Sequence, residues 1–203
     1  PARDMWDTFW IKTQTNADNT RKHVDGSALL LRTHTSPMQI RYMEKHEPPF
    51  QIIVPGRVFR YEATDASHEI NFTQVEGLMV GKNVTLANLK YVIETFLKKI
   101  LGDKTVIRFR PSYFPFTEPS IEVDIKIPRT SASGPRMSAW LEIMGAGMVH
   151  PNVFSHAGYV PDGWQGFAFG LGLDRIAILK YGIPDIRLFY GGDARFTRQF
   201  KTI

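Results

Sequence analysis

Cysteine is absent from this 203-residue chain. Disulfides, thiol nucleophiles and cysteine-ligated zinc are thereby excluded, and the composition fits a reducing compartment. No apolar run reaches the ~18 residues that a membrane span needs. The opening PARDMWDTFW has neither the n-region nor the h-region of a secretory leader, so neither leader nor membrane partner is expected. Internal repeats are also missing. What is present is ordinary for a globular protein: 43% hydrophobic and 22% charged residues, enough chain for one domain with a full core. The formal charge of +5 suits a polyanionic partner such as ATP or RNA without demanding one.

The polar stretch KTQTNADNTRKHVDG reads as a loop and ALLL (Ala28 to Leu31) as a short strand. A helix is expected from Pro37 to about His46, with Ser36 as N-cap, Pro37 at N1 and Gln39 as the N3 partner of a capping box. QIIVPGRVFRYE and INFTQVEGLMV read as strands flanking the polar ATDASHE. Leu86 to Leu101 has helical apolar spacing, closed by Gly102. TVIRFR, IEVDIKI and AWLEIMGAG read as strands, and PRTSASGPRMS as a loop without metal-knuckle cysteines. FAFGLGLDRIAILKYG reads as strand, glycine turn and helix. Strands joined mainly by hairpins and loops, with few helices, argue for an α+β fold, an antiparallel β-sheet flanked by helices.

Period-two alternation puts Arg60 and Glu62 on one strand face, and Phe72, Gln74 and Glu76 on one face of the next. A guanidinium beside a carboxylate suits a ligand carrying both signs of charge; taken alone, the pair reads more simply as a surface ion pair. If the two strands pair in register, these side chains share one surface. There Phe72 can stack on a flat base while Gln74 and Glu76 hold an ammonium; a solvent-facing strand with one stray Phe is the plainer alternative. Gly-x-Gly in FGLGLDR is weak by itself, but Arg175 in the first turn of a helix faces an anion naturally. SYFPFTEPS places Phe114 and Phe116 on one face of an extended segment stiffened by Pro115, as ligand walls or as core aromatics closing a sheet end. Ala168 shares a strand face with Gly166 and Gly170, opposite Phe167 and Phe169, and a bare face admits a ligand or a packed helix.

FRYE with its loop and NFTQVEG resemble motif 2 of a class II aminoacyl-tRNA synthetase, and GLGLDR resembles motif 3. With RTHTSPMQIRYM, SYFPFTEPSIEV and WLEIMGAGMVHPNV, nearly the whole chain resembles the α subunit of bacterial-type phenylalanyl-tRNA synthetase. The resemblance implies the class II catalytic fold over residues 1–203 as a single domain, without the family's N-terminal coiled-coil arm. It implies ATP-dependent activation of phenylalanine and its transfer to tRNA(Phe), with Mg2+, in the cytoplasm, by an enzyme that pairs with a β subunit as a heterotetramer.

By motif position, Arg60 and Arg175 are the catalytic residues, and Arg60, Glu62, His68, Phe72 and Arg175 form the ATP site. His34, Ser36, Gln39, Gln74, Glu76, Phe114, Phe116, Ala168 and Gly170 line the phenylalanine site, and Glu118 and Glu142 are the Mg2+ carboxylates. Thr73 stands where the family often has His, and the segment around Asp193 departs from the usual ending. The rival reading is a non-catalytic paralogue that binds amino acid, nucleotide or a protein; loss of either motif arginine would favour it, and both are present. A single-chain organellar-type enzyme is a further alternative.

Overall fold

The structure, a computed structural model, describes residues 8–11, 29–131, 134–160 and 163–200. Among them six antiparallel strands form one sheet in the order β1-β2-β8-β7-β4-β3. The strands are β1 (Phe50–Phe59), β2 (Asn71–Gly81), β3 (Val106–Phe114), β4 (Thr117–Lys126), β7 (Leu141–Val149) and β8 (Gln165–Gly172); β5 (Pro128–Ser131) and β6 (Gly134–Met137) form a separate hairpin. The helices are α1 (Pro37–Met43), α2 (Leu86–Leu101), α3 (Pro151–His156), α4 (Leu173–Tyr181) and α5 (Ala194–Thr197), with a 3-10 turn at Ile186–Phe189. No helix among the described residues is long and apolar enough to cross a membrane.

Alternation gives each strand two roles. On the back of the sheet, Ile121, Val123 and Ile125 of β4 and Phe167 and Leu171 of β8 pack against Leu89, Ile93 and Leu97 of α2. Each such buried side chain stabilises the fold by about 1.5–3 kcal/mol. α2 begins at a capping box in which Thr85 and Asn88 exchange bonds, and it ends at Gly102, whose φ of 102° favours glycine. On the front, a second core of Met43, Leu78, Val80, Val149, Phe154 and Ala168 fills only one end of the sheet. The rest of the front face is left open between α1 and the β3–β4 hairpin.

Several local expectations are corrected. α1 stops at Met43, where the buried Tyr159 hydroxyl lies within hydrogen-bond reach of the Met43 and His46 carbonyl oxygens and satisfies one of these helix-end acceptors with its single proton. Ser36 makes no capping bond; its hydroxyl and the Gln39 amide serve a side chain on β2 instead. Gly170 and Gly172 lie in β8 and make no turn. PRTSASGPRMS contains the β5–β6 hairpin rather than only loop, and SYFPFTEPS is a hairpin turning at Pro115–Phe116 rather than one extended segment. Leu30 forms a single bridge to Trp10, short of a strand. The stretch KTQTNADNTRKHVDG lies outside the described residues.

Candidate active site

Direct cross-strand partners share a face, so the pairing register lays out the open front of the sheet row by row. One row runs Ile52, Leu78, Ala168, Gly147, Ser120, Ser112. The next runs Val54, Glu76, Gly170, Gly145, Glu122, Arg110. Beyond it come Gln74 opposite Gly172, and Asp124 between Arg108 and Glu142. Small residues in the middle strands and long ones on either side make a trough whose chemistry grades from apolar to ionic. The trough encloses a cavity of about 920 Å³.

The glycines are the floor. A Cβ on Gly145 would lie 2.7 Å from Cζ of Phe114, and one on Gly170 would lie 3.2 Å from both Gln74 Nε2 and Glu76 Cγ. Phe114 and Phe116 are stacked, with centroids 6.1 Å apart and planes 10° apart, and the His34 ring lies 6.2 Å from Phe116. The hairpin brings the two phenylalanines together across its turn, so they are neighbours for a different reason than strand alternation. The hairpin is locked by Ser120, whose hydroxyl donates to Thr117 O at 2.8 Å and accepts from Phe114 N at 3.1 Å. Ala168 lines the same end of the cavity.

Glu76 is 4% exposed and central to the next zone. Ser36 Oγ donates to its Oε1 at 2.9 Å and Gln39 Nε2 to its Oε2 at 2.5 Å. Burial pushes its carboxyl above the usual range, and those two donors only partly offset the effect. Gln74 Oε1 accepts from Thr35 N at 3.3 Å, which leaves its NH2 group beside Gly170. Burial, then the nearby Arg60, pull His34 downward and favour its neutral form.

Arg60 follows the last residue of β1, but its amide still donates to Ile70 O at 2.9 Å, so its side chain stays on the Phe72 face. Its guanidinium donates to Thr33 O at 3.2 Å, lies 4.0 Å from Glu62 and sits 5.1 Å from the Phe72 centroid. Burial lowers its pKa and Glu62 and Glu76 oppose that. Across the cavity, Arg175 projects from the first turn of α4. It donates to Glu142 O at 3.2 Å, and its other terminal nitrogen lies 3.5 Å from His68 Nε2. The site residues expected from sequence thus converge on one cavity, Glu118 excepted.

Glu118 and Glu142 are not brought together as a metal pair. Glu118 lies outside the cavity, its side chain 76% exposed and its carboxylate 3.3 Å from His150 Nε2. The turn of the β3–β4 hairpin carries it past the rim. From β4, Asp124 pairs directly with Glu142 but is engaged by Arg108 and Arg110, whereas Glu122 lines the cavity with Glu142 and is held by Ser112 Oγ at 2.9 Å and Arg110 at 2.8 Å. Burial, followed by the charge of Glu122, pushes Glu142 above the ordinary value, and Arg110 and Arg175 oppose that shift. Among the described residues no cluster of three or more His, Cys, Asp or Glu could hold a metal alone. Two carboxylates nevertheless fit Mg2+, which usually takes one or two from protein and the rest from phosphate and water.

A family model for the class II core domain of tRNA synthetases (F) matches residues 1–200. The chain belongs to the class II tRNA synthetase core family. It is 54% identical to the phenylalanine–tRNA ligase alpha subunit of Syntrophus aciditrophicus over 98% of its length, and 50% identical to that of Staphylococcus carnosus over 100%. It spans 56% and 55% of those relatives' lengths. The pyrrolysyl-tRNA synthetase of Desulfitobacterium hafniense shares the fold, with a TM-score of 0.59 at 16% identity over 89% of this chain and 56% of the other.

Two parts of this class II core escaped sequence reasoning. Glu122 alternates with Ile121 and Val123 in β4, a signal that it faces away from the core. Asp65 was lost in a polar loop, where only the spacing to His68 hinted that it shapes a turn.

Proposed function

We propose that this chain is the catalytic part of a phenylalanine–tRNA ligase alpha subunit. It activates phenylalanine with ATP and transfers it to tRNA(Phe), working in the cytoplasm with a β subunit in a heterotetramer. The observation that carries the reading is the graded trough: an aromatic-walled apolar end, a buried carboxylate next to it, and arginines beyond.

On this reading the phenyl ring lies against the edges of Phe114 and Phe116, with Ala168 and His34 bounding the pocket. Glu76, oriented by Ser36 and Gln39, accepts the substrate ammonium, with Gln74 beside it over Gly170. Arg60 holds the substrate carboxylate against the α-phosphate, with Glu62 steadying the guanidinium. Phe72 stacks on adenine. His68 and Arg175 take the bent triphosphate. The carboxylate attacks the α-phosphorus and pyrophosphate leaves; the adenylate then acylates the terminal ribose of the tRNA. No protein nucleophile is needed, so the work is positioning and charge neutralisation. Glu142 and Glu122 would hold Mg2+, which supplies positive charge for the phosphates.

The test is phenylalanine-dependent exchange of pyrophosphate into ATP, measured with and without a candidate β subunit. Exchange that requires phenylalanine supports the reading. Phenylalanine binding with no exchange in either preparation would leave a binding module and end it.

A further inference from the structure

The β1–β2 loop is built around one carboxylate. Asp65 Oδ1 accepts from Ser67 N at 2.6 Å and from His68 N at 2.8 Å, and both Asp65 oxygens lie 3.0 Å from His68 Nδ1. Asp65 N donates to His68 O at 3.0 Å, and Ala66 O accepts from Ile186 N at 2.9 Å, which ties the loop to the 3-10 turn. Those donors hold the Asp65 carboxyl below its ordinary range, the Ser67 amide first and His68 next. An ionised carboxylate only accepts, so Nδ1 of His68 carries the ring proton. Nε2 faces the Arg175 guanidinium at 3.5 Å, and because a guanidinium only donates, Nε2 meets it with a lone pair.

A phosphate is also an acceptor only, and a neutral ring of this tautomer offers it a lone pair through Nε2. His68 can donate to a triphosphate only by taking a second proton, and it must do so next to Arg175. The charged groups around it are Asp65 and Glu69 on its own loop, Arg175 from α4, and Arg187 from the 3-10 turn, which Asp65 and Glu69 both influence. Only Asp65 contacts the ring as an anion.

We infer that Asp65 is a positioning residue for the triphosphate: it turns His68 so that Nε2 faces the anion, and balances the imidazolium that forms when nucleotide binds. The proton comes from solvent on binding and goes to Nε2. This rests on the ATP-site reading above.

The experiment uses the full α subunit with its β subunit. ATP with magnesium is titrated calorimetrically in two buffers of different ionisation heat, at mildly alkaline pH, for the parent and for Asp65→Asn. Asparagine keeps an oxygen for the Ser67 and His68 amides, so the turn survives while the charge goes. The expected result is proton uptake by the parent, loss of most of it in the variant, and a KM for ATP raised roughly tenfold, about the size of one charge-assisted hydrogen bond, with the KM for phenylalanine unchanged. Equal uptake by both proteins, or none by the parent, overturns the inference. A parent that shows no phenylalanine-dependent exchange would instead refute the functional reading on which it stands.

Discussion

Replacing Glu76 by glutamine removes one charge and keeps the shape. In the folded protein the charge is 4% exposed and accepts from Ser36 Oγ and Gln39 Nε2. A glutamine keeps one acceptor oxygen and turns an NH2 group toward a neighbour that also donates, unless Gln39 flips. The loss of one charge-assisted bond, about 1.5–3 kcal/mol, is opposed by relief of the cost of burying the charge, so stability moves little. Nothing opposes the loss of the ammonium contact. The same 1.5–3 kcal/mol then appears undiminished in the affinity for phenylalanine, a roughly 10- to 150-fold rise in Kd. Affinity for ATP should stay within about twofold, well inside one unit of RT ln 10.

The pH dependence has a definite sign. The folded-state pKa of Glu76 is raised above 4.5. Its charge therefore costs native stability at neutral pH, and that cost disappears as pH falls from the raised value toward 4.5. Phenylalanine affinity runs the other way, weakening as the carboxylate protonates, and the glutamine variant should lack that acid limb. Separate calorimetric titrations with each ligand check this. Equal losses for phenylalanine and ATP, or an identical acid limb in parent and variant, would refute the assignment.

Arg175→Ala should cut pyrophosphate exchange roughly 10²-fold or more while leaving the melting temperature near the parent's, since it removes a phosphate contact and no core packing. Gly145→Ala would place a methyl 2.7 Å from Phe114 Cζ. Displacing that ring should raise the KM for phenylalanine, leave that for ATP unchanged, and cost about 1–3 kcal/mol in denaturant unfolding. Ala168→Gly should admit para-chloro-phenylalanine in the exchange assay for a stability loss of about 0.5–1 kcal/mol; a larger loss with no change in substrate range would mean that Ala168 only packs the front core.

Long periodic segments were legible in the sequence. The α2 boundaries were read as found, because sixteen residues of amphipathic spacing leave little choice, and the face shared by Phe72, Gln74 and Glu76 follows from alternation in a strand. Short signals failed where tertiary partners competed for the same groups. Ser36 and Gln39 look like a capping box, but a buried carboxylate from β2 takes their donors. Glycines 170 and 172 look like a turn, yet they clear space for Gln74, Glu76 and Phe72 on the neighbouring strand. Pro115 looks like a stiffener of an extended segment, and it begins a two-residue hairpin turn. Glu118 was named by motif position alone, and a hairpin's direction of turn, which decides which carboxylate faces inward, is not written in the local sequence.

The most direct test is the crystal structure of the chain with a non-hydrolysable phenylalanyl-adenylate analogue. The expected pose has the phenyl ring over Ala168 and against the edges of Phe114 and Phe116, the amino group on the Glu76 carboxylate, and adenine on Phe72. A ring lying at the Glu122–Glu142 end, or an amino group bound away from Glu76, would contradict the graded trough on which the functional reading depends.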